Sequence, residues 1–158
     1  MLCMYKPERE CIDHLNVYSK SKSPLGRLLT NFAKANIITP DGEFSSVEAY
    51  WYWLSIPDSN PNREKIRTMS GFRAKSFGRE LRKSSKEFRN EPLFEQKIRL
   101  AIRYKLCHAD KNIIMRKEGH LPLAHYYIVG DKVKDVSPKF AWLMQVWAEE
   151  LAYARSKN

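Results

Sequence analysis

Long stretches of this chain place apolar residues at helical spacing, and short ones between them alternate or turn. Leu25, Leu28, Leu29 and Phe32 have helical spacing within residues 25–33, although Gly26 and the Thr30-Asn31 pair weaken that helix. A stronger one starts at Ser45 and must end by Ile56, because Pro57 cannot continue it. Asn60 before Pro61 reads as an N-cap with proline at the first helical position, and Gly71 closes the helix it opens. Ala74 to Lys83 is basic and helical, with Phe77 and Leu81 one turn apart. Pro92 opens an amphipathic helix carrying Leu93, Ile98, Ile102 and Leu106 on one side. Lys111 to Glu118 is a shorter helix ending at Gly119, and Ser137-Pro138 starts the last, striped by Phe140, Leu143, Met144, Trp147 and Leu151. The β signals are small: Asn16-Val17-Tyr18, a turn at Pro40-Asp41-Gly42 between Ile37-Ile38 and Glu43-Phe44, and a β-rich stretch over 121–136 turning at Gly130-Asp131. The pattern predicts a mainly α protein of the α+β class, with about six helices and small β-hairpin elements in one domain over residues 1–158. Residues 1–11 carry the weakest pattern and are expected to fray.

Length and composition narrow the class. At 158 residues the chain is one domain's worth and can bury roughly 70% of its unfolded surface. The longest apolar run, Ala49 to Leu54, is far too short to cross a bilayer, and the N-terminus lacks the apolar core of a secretory signal. Cys3, Cys11 and Cys107 are odd in number and lack C-x-x-C spacing, which fits free thiols in a reducing cytoplasm. His14, His108, His120 and His125 show no paired metal-ligand spacing, so no metal and no cofactor is expected. Charge changes the picture more. The net charge is +10, and residues 63–105 hold fourteen Lys/Arg against five Glu. Such a segment is either a solvated helical face or an attractor for phosphorylated ligands, DNA or RNA, and salt dependence separates the two.

Candidate chemistry concentrates on the helix that follows Ser45. It carries Tyr50, Trp51, Tyr52 and Trp53 in succession, and a helix needs only one face to fill a core. Neighbouring rings point about 100° apart, so some belong to the core and some are left to line a cleft. Glu48 stands one turn ahead of them and has two readings. Ser45-x-x-Glu48 is a capping box, in which the carboxylate only reaches back to the Ser45 amide. Alternatively, Glu48 stands beside a flat apolar wall, as in a site that grips a planar base and acts on the adjoining bond.

The order of motifs resembles the NADAR or YbiA-like family. Asn16-Val17-Tyr18, Thr30-Asn31-Phe32, Ile37-Ile38, Asp41-Gly42, Phe44 and Ser46-Val47-Glu48-Ala49-Tyr50-Trp51 follow the family's N-F-Y, S-N-F, apolar, D-G, aromatic and T-S-E-H-Y-F series. Arg63-Glu64-Lys65-Ile66-Arg67, Ala74 to Gly78-Arg79, and Ala101 to Leu106 match its later R-E-E-I-R, A-x-x-x-G-R and A-L-R-x-K-F segments. The similarity runs in patches from about residue 12 to 155. Two departures stand out: Leu54-Ser55-Ile56 replaces the family's helix-end Lys, and the Gly-rich loop near the C-terminus is shortened around Tyr126 to Asp131.

The resemblance implies N-glycoside hydrolysis, cleavage of a ribosyl–base bond in phosphoribosylamino-pyrimidines or in ADP-ribose attached to guanine. Such a reaction passes through an oxocarbenium-like sugar that a desolvated carboxylate stabilises. On this resemblance Glu48 is the catalytic carboxylate and Asp131 a candidate second one, although Asp131 also suits a plain hairpin turn. Asn31 and Phe32 would supply an amide and a stacking face, and Trp51 the ring nearest the site. Arg79, Arg103 and Lys105 would hold phosphate or pyrophosphate, the arginines through a bidentate fork and the lysine as a point charge. His125 is a possible proton donor, more simply read as structural. The expected substrate is nucleotide-like or an ADP-ribosylated nucleic acid reached through the basic segment, with no membrane partner. Two other classes compete: a module that binds ADP-ribose, a nucleotide or nucleic acid without turnover, and a basic interaction or inhibitor protein.

Overall fold

The computed structural model describes residues 4–158, so Cys3 lies outside the described residues. Its backbone contacts group into two compact units: residues 31–105, and the two chain ends, up to Thr30 and from Leu106 onward.

In the unit of the chain ends, β1 (Leu15–Asn16) is followed by helix α1 (Pro24–Leu29). Ser23 caps α1 by accepting the Leu25 amide at 3.1 Å, and Pro24 takes the first helical position where no amide proton is needed. The helix buries Leu25 and Leu29 and stops at Thr30, earlier than the apolar spacing suggests. After Leu106 come α5 (Lys111–Ile114), β4 (Leu123–Ala124), the hairpin β5–β6 (Tyr126–Val129 and Lys132–Asp135) and α6 (Ala141–Ser156). The single helix expected over 111–118 is split. Asp110 caps α5, and a separate 3-10 turn over Lys117–His120 buries Glu118, which accepts from Ser23 Oγ at 2.7 Å and from Arg116. β1 pairs in parallel with β4, while β5 and β6 pair antiparallel through Gly130-Asp131 as expected. α6 buries Leu143, Val146, Trp147, Leu151 and Ala154 at 3.6-residue spacing. Toward the N-terminus, Glu10 is buried and accepts from Ser21 Oγ and the Lys22 amide, which ties down part of the stretch expected to fray.

Residues 31–105 hold the hairpin β2–β3 (Ile37–Thr39 and Gly42–Phe44), then α2 (Val47–Ser55), α3 (Gly71–Ser84) and most of α4 (Phe94–Cys107). The helix expected over 61–71 is instead a six-residue 3-10 turn, Arg63–Thr68. Asn60 ties down the entry to this turn: its side-chain carbonyl accepts the Asn62 amide at 3.0 Å while its amide donates to Ser85 Oγ at 2.9 Å. Gly71 does not close that turn. It opens α3 in a left-handed conformation, φ +60°, that a residue with a Cβ adopts only under strain. Tyr50, Trp53, Phe44 and Leu54 pack under α2, with Phe44 and Tyr50 ring centres 4.6 Å apart. Arg63 lies flat over the Trp53 ring at 3.5 Å, and its Nη1 reaches Asp58 at 2.5 Å. Together these elements give the mainly α, α+β architecture read from the sequence. Among the described residues no helix is long and apolar enough to cross a membrane.

Candidate functional site between helices α2 and α3

The first turn of α2 decides between the two readings of Glu48. The cap is Ser46, not Ser45: Ser46 Oγ accepts the Ala49 amide at 3.0 Å and donates to the Met69 carbonyl at 2.9 Å. Ser45 is occupied elsewhere, its amide donating to Arg67 O and its carbonyl accepting the Ala35 amide. With the cap moved one residue on, the Ser45–Glu48 box does not form, and the Glu48 side chain makes no hydrogen bond or ion pair among the described residues. The Glu48 amide is held by Asn31 O at 2.9 Å, which fixes the backbone beneath the carboxyl.

Glu48 is half-buried, and desolvation pushes its carboxyl up to about 7, opposed by the charges of Lys75, Arg82 and Arg79. Those three cations lie at i, i+4 and i+7 on α3 and so share one face. On α2, Glu48, Tyr52 and Ser55 have the i, i+4, i+7 spacing that faces them. Gly78 permits the close approach of the two helices. A Cβ added there would meet the Tyr52 ring at 2.2 Å. Arg82 then lies over the Tyr52 ring at 4.6 Å, with Nε and Nη2 each 3.3 Å from Ser55 Oγ. Lys75 sits 5.8 Å from the centre of the Phe32 ring, whose own carbonyl accepts the Gly71 amide at 2.9 Å. The result is a desolvated carboxyl facing a row of cations with an aromatic ring at one end. The carboxyl is poised to exchange a proton near neutrality, and the cations suit an oxyanion.

The fold search decides what this frame is. The E. coli protein YbiA, solved by NMR, matches with a TM-score of 0.60 and 22% identity, over 92% of this chain and 89% of that one. The chain has a YbiA-like fold. No model of a known protein family matches it, and no curated protein does. At this identity the YbiA-like fold shows architecture only, and the chain is a divergent version of it.

On that YbiA-like frame the residues singled out from sequence separate clearly. Glu48, Asn31, Phe32 and Arg79 gather around the α2–α3 face: Asn31 through its buried backbone, Phe32 through Lys75, and Arg79 as an exposed charge acting on Glu48. Trp51 is the α2 ring left half-exposed, while Tyr50, Tyr52 and Trp53 are buried. It stands edge-on to Phe94, ring centres 4.8 Å apart at 87°. Arg103 is half-buried on α4. Lys105 is 2% exposed, and burial lowers its amine to about 7, a setting that its reading as a point charge for phosphate did not anticipate. Asp131 is exposed at the β5–β6 turn, the position its turn reading describes. His125 is buried with Nδ1 2.6 Å from Val17 O and its ring against Tyr127, Phe140 and Trp147, a packed structural residue.

Sequence reasoning missed Lys75, Arg82 and Ser55. The signal was present in the basic residues 75, 79 and 82, whose spacing marks one helical face, with Gly78 among them. Without knowing that Gly78 meets Tyr52, nothing connected that face to Glu48.

Proposed function

We propose that this protein is an N-glycosidase that hydrolyses a ribosyl–base bond in a nucleotide-like or ADP-ribosylated nucleic-acid substrate, with Glu48 as its working carboxyl. One observation carries the reading: Glu48 is not used as a cap, is unpaired among the described residues, and is pushed up to about 7 by desolvation opposite three cations. A group with that pKa populates both forms at neutral pH. As carboxylate it steadies a developing sugar cation or takes a proton from the attacking water, and as acid it protonates the departing base nitrogen. The cations opposite it hold substrate oxyanions and keep part of the carboxyl ionised. Asn31 and Phe32 brace the start of α2 and the end of the cation row, and Trp51 offers a ring to the base. The basic residues of 63–105 draw a polyanionic substrate toward this face.

A non-catalytic binding module on the same frame is the second reading. The exposed turn position of Asp131 favours it, because a second carboxylate in open solvent contributes little to stabilising a cation. Incubation with ADP-ribosylated oligonucleotide, NAD and a phosphoribosylamino-pyrimidine separates the two. Release of a ribose-containing product that disappears in Glu48→Gln supports the glycosidase. Turnover that survives Glu48→Gln refutes the assignment of Glu48, and binding without product supports the module.

A further inference from the structure

Beside the α2–α3 face, within residues 31–105, lies a cleft of about 720 Å³, a size typical of small-molecule sites. Helix α2 contributes Trp51 and Ser55, α3 contributes Arg82, the connection before α4 contributes Arg89 and Glu91, and α4 contributes Phe94. Glu48 is not among its walls, yet Arg82 belongs to both places, since its charge also acts on Glu48.

The charges lining this cleft are unequal. Arg89 is committed: it pairs with Glu91 at 2.9 Å and Asp58 at 3.5 Å, while its amide donates to Ser55 O at 3.0 Å. Glu91 is committed as well, lying 3.5 Å from Lys97 in addition to Arg89. Arg82 is different. Its guanidinium is oriented by a neutral hydroxyl, Ser55 Oγ, and by the Tyr52 face, with no carboxylate of the described residues within ion-pair distance. A fork held in place but not neutralised is what an oxyanion ligand requires, because the ordering cost is already met and no internal partner must be displaced. Next to it stands Trp51, the half-exposed ring of α2, kept upright by the edge of Phe94. A fixed aromatic surface beside an uncompensated guanidinium suits a planar ring that carries a phosphate.

We propose that this cleft is a nucleoside-phosphate site, in which Arg82 holds the phosphate and Trp51 with Phe94 receives the base. It rests on the glycosidase reading only for what lies beyond the cleft: a ligand seated here extends past Arg82 toward the Glu48 carboxyl. Arg82, oriented through Ser55, is then the residue that selects phosphorylated over unphosphorylated ligands.

The test is calorimetric titration with adenosine 5′-monophosphate and with adenosine at one fixed ionic strength, against wild type, Arg82→Gln, Lys83→Gln and Trp51→Leu. Lys83→Gln removes an exposed neighbouring charge of α3 that does not line the cleft. The nucleotide should bind at least about tenfold tighter than the nucleoside, as a charge-assisted contact allows. Arg82→Gln should erase that preference and leave adenosine binding unchanged, Lys83→Gln should keep it within about twofold, and Trp51→Leu should weaken both ligands. Equal affinity for the two ligands overturns the site, as does a loss in Lys83→Gln equal to that in Arg82→Gln. If Arg82→Gln fails to fold by circular dichroism, Ser55→Ala replaces it, and an unreduced phosphate preference there overturns the role of the fork. A missing preference with turnover still dependent on Glu48 removes the cleft and leaves the glycosidase, whereas an intact preference with turnover in Glu48→Gln does the reverse.

Discussion

Glu48→Gln should make the folded protein more stable, and only above a certain pH. The side chain is isosteric, with similar helix propensity, so the substitution removes charge and little else. The folded carboxyl titrates at about 7 against an ordinary value of 4.5. Below 4.5 the group is protonated in both folded and unfolded chains and costs nothing. As pH rises through the interval, the unfolded chain ionises freely while the folded one is penalised, so wild-type stability falls until about pH 7 and then levels off. The full difference corresponds to roughly 3 kcal/mol, and partial solvent access at the half-buried site reduces the realised effect to about 1–2 kcal/mol. For a chain of this size that is a rise in Tm of about 2–8 °C for Glu48→Gln at pH 8, against almost none at pH 4.5. Thermal melts of both proteins by circular dichroism across pH 4.5–8 measure it directly. A capping or salt-bridging glutamate gives the opposite sign, with Gln less stable at pH 8. That result, or a difference independent of pH, refutes the claim that this carboxyl is held in a disfavoured state.

Two other substitutions probe the same face. Lys75→Gln removes the largest of the charges that hold Glu48 down, so the carboxyl should titrate at a still higher pH, followed by carboxyl-selective NMR; Lys83→Gln should leave the midpoint in place, and an equal shift in both variants would show a diffuse field instead of a facing charge. Gly78→Ala places a methyl 2.2 Å from the Tyr52 ring and should separate α2 from α3 at a cost of about 1–3 kcal/mol in urea unfolding, so an unchanged midpoint contradicts the tight helix contact.

Much of the architecture was legible because the residues that end helices act locally. Pro57 stops α2 and Gly130-Asp131 turns the last hairpin, each through a constraint within a few residues. Where distant partners intervene, the local reading failed. Asn60 divides its side chain between the distant Ser85 and the Asn62 amide, and the run after it is a 3-10 turn where an α-helix was expected. The cap of α2 shifted from Ser45 to Ser46 because Ser45 is bound to Arg67 and Ala35, and only Ser46 reaches Met69. The two serines are indistinguishable in sequence. That single-residue shift separates a capping glutamate from one whose carboxyl is left out of the cap, so the feature on which the proposed function rests was the least readable. The burial of Lys105 was unreadable for a related reason, since it is set by packing that no spacing encodes.

The electrostatics of the α2–α3 face also imply an order of events that neither the carboxyl nor the cations determine alone. Lys75, Arg82 and Arg79 oppose the desolvation of Glu48 and keep it near 7 instead of higher. An oxyanion placed among them neutralises part of that field, and with less opposing charge the carboxyl binds its proton more tightly. Binding of a phosphorylated ligand and protonation of Glu48 are therefore linked, each favouring the other. A glycosidase gains from this coupling, because the acid needed to protonate a leaving base accumulates only once the substrate's phosphate is in place. In the proposed hydrolysis, the carboxyl that gives its proton to the departing base would face the developing sugar cation as an anion in a poorly solvated position, where a single charge acts most strongly. On the proposed reading, Glu48 and Arg82, neither in an ion pair among the described residues, act as one coupled pair, with the tight helix contact at Gly78 holding their helices together.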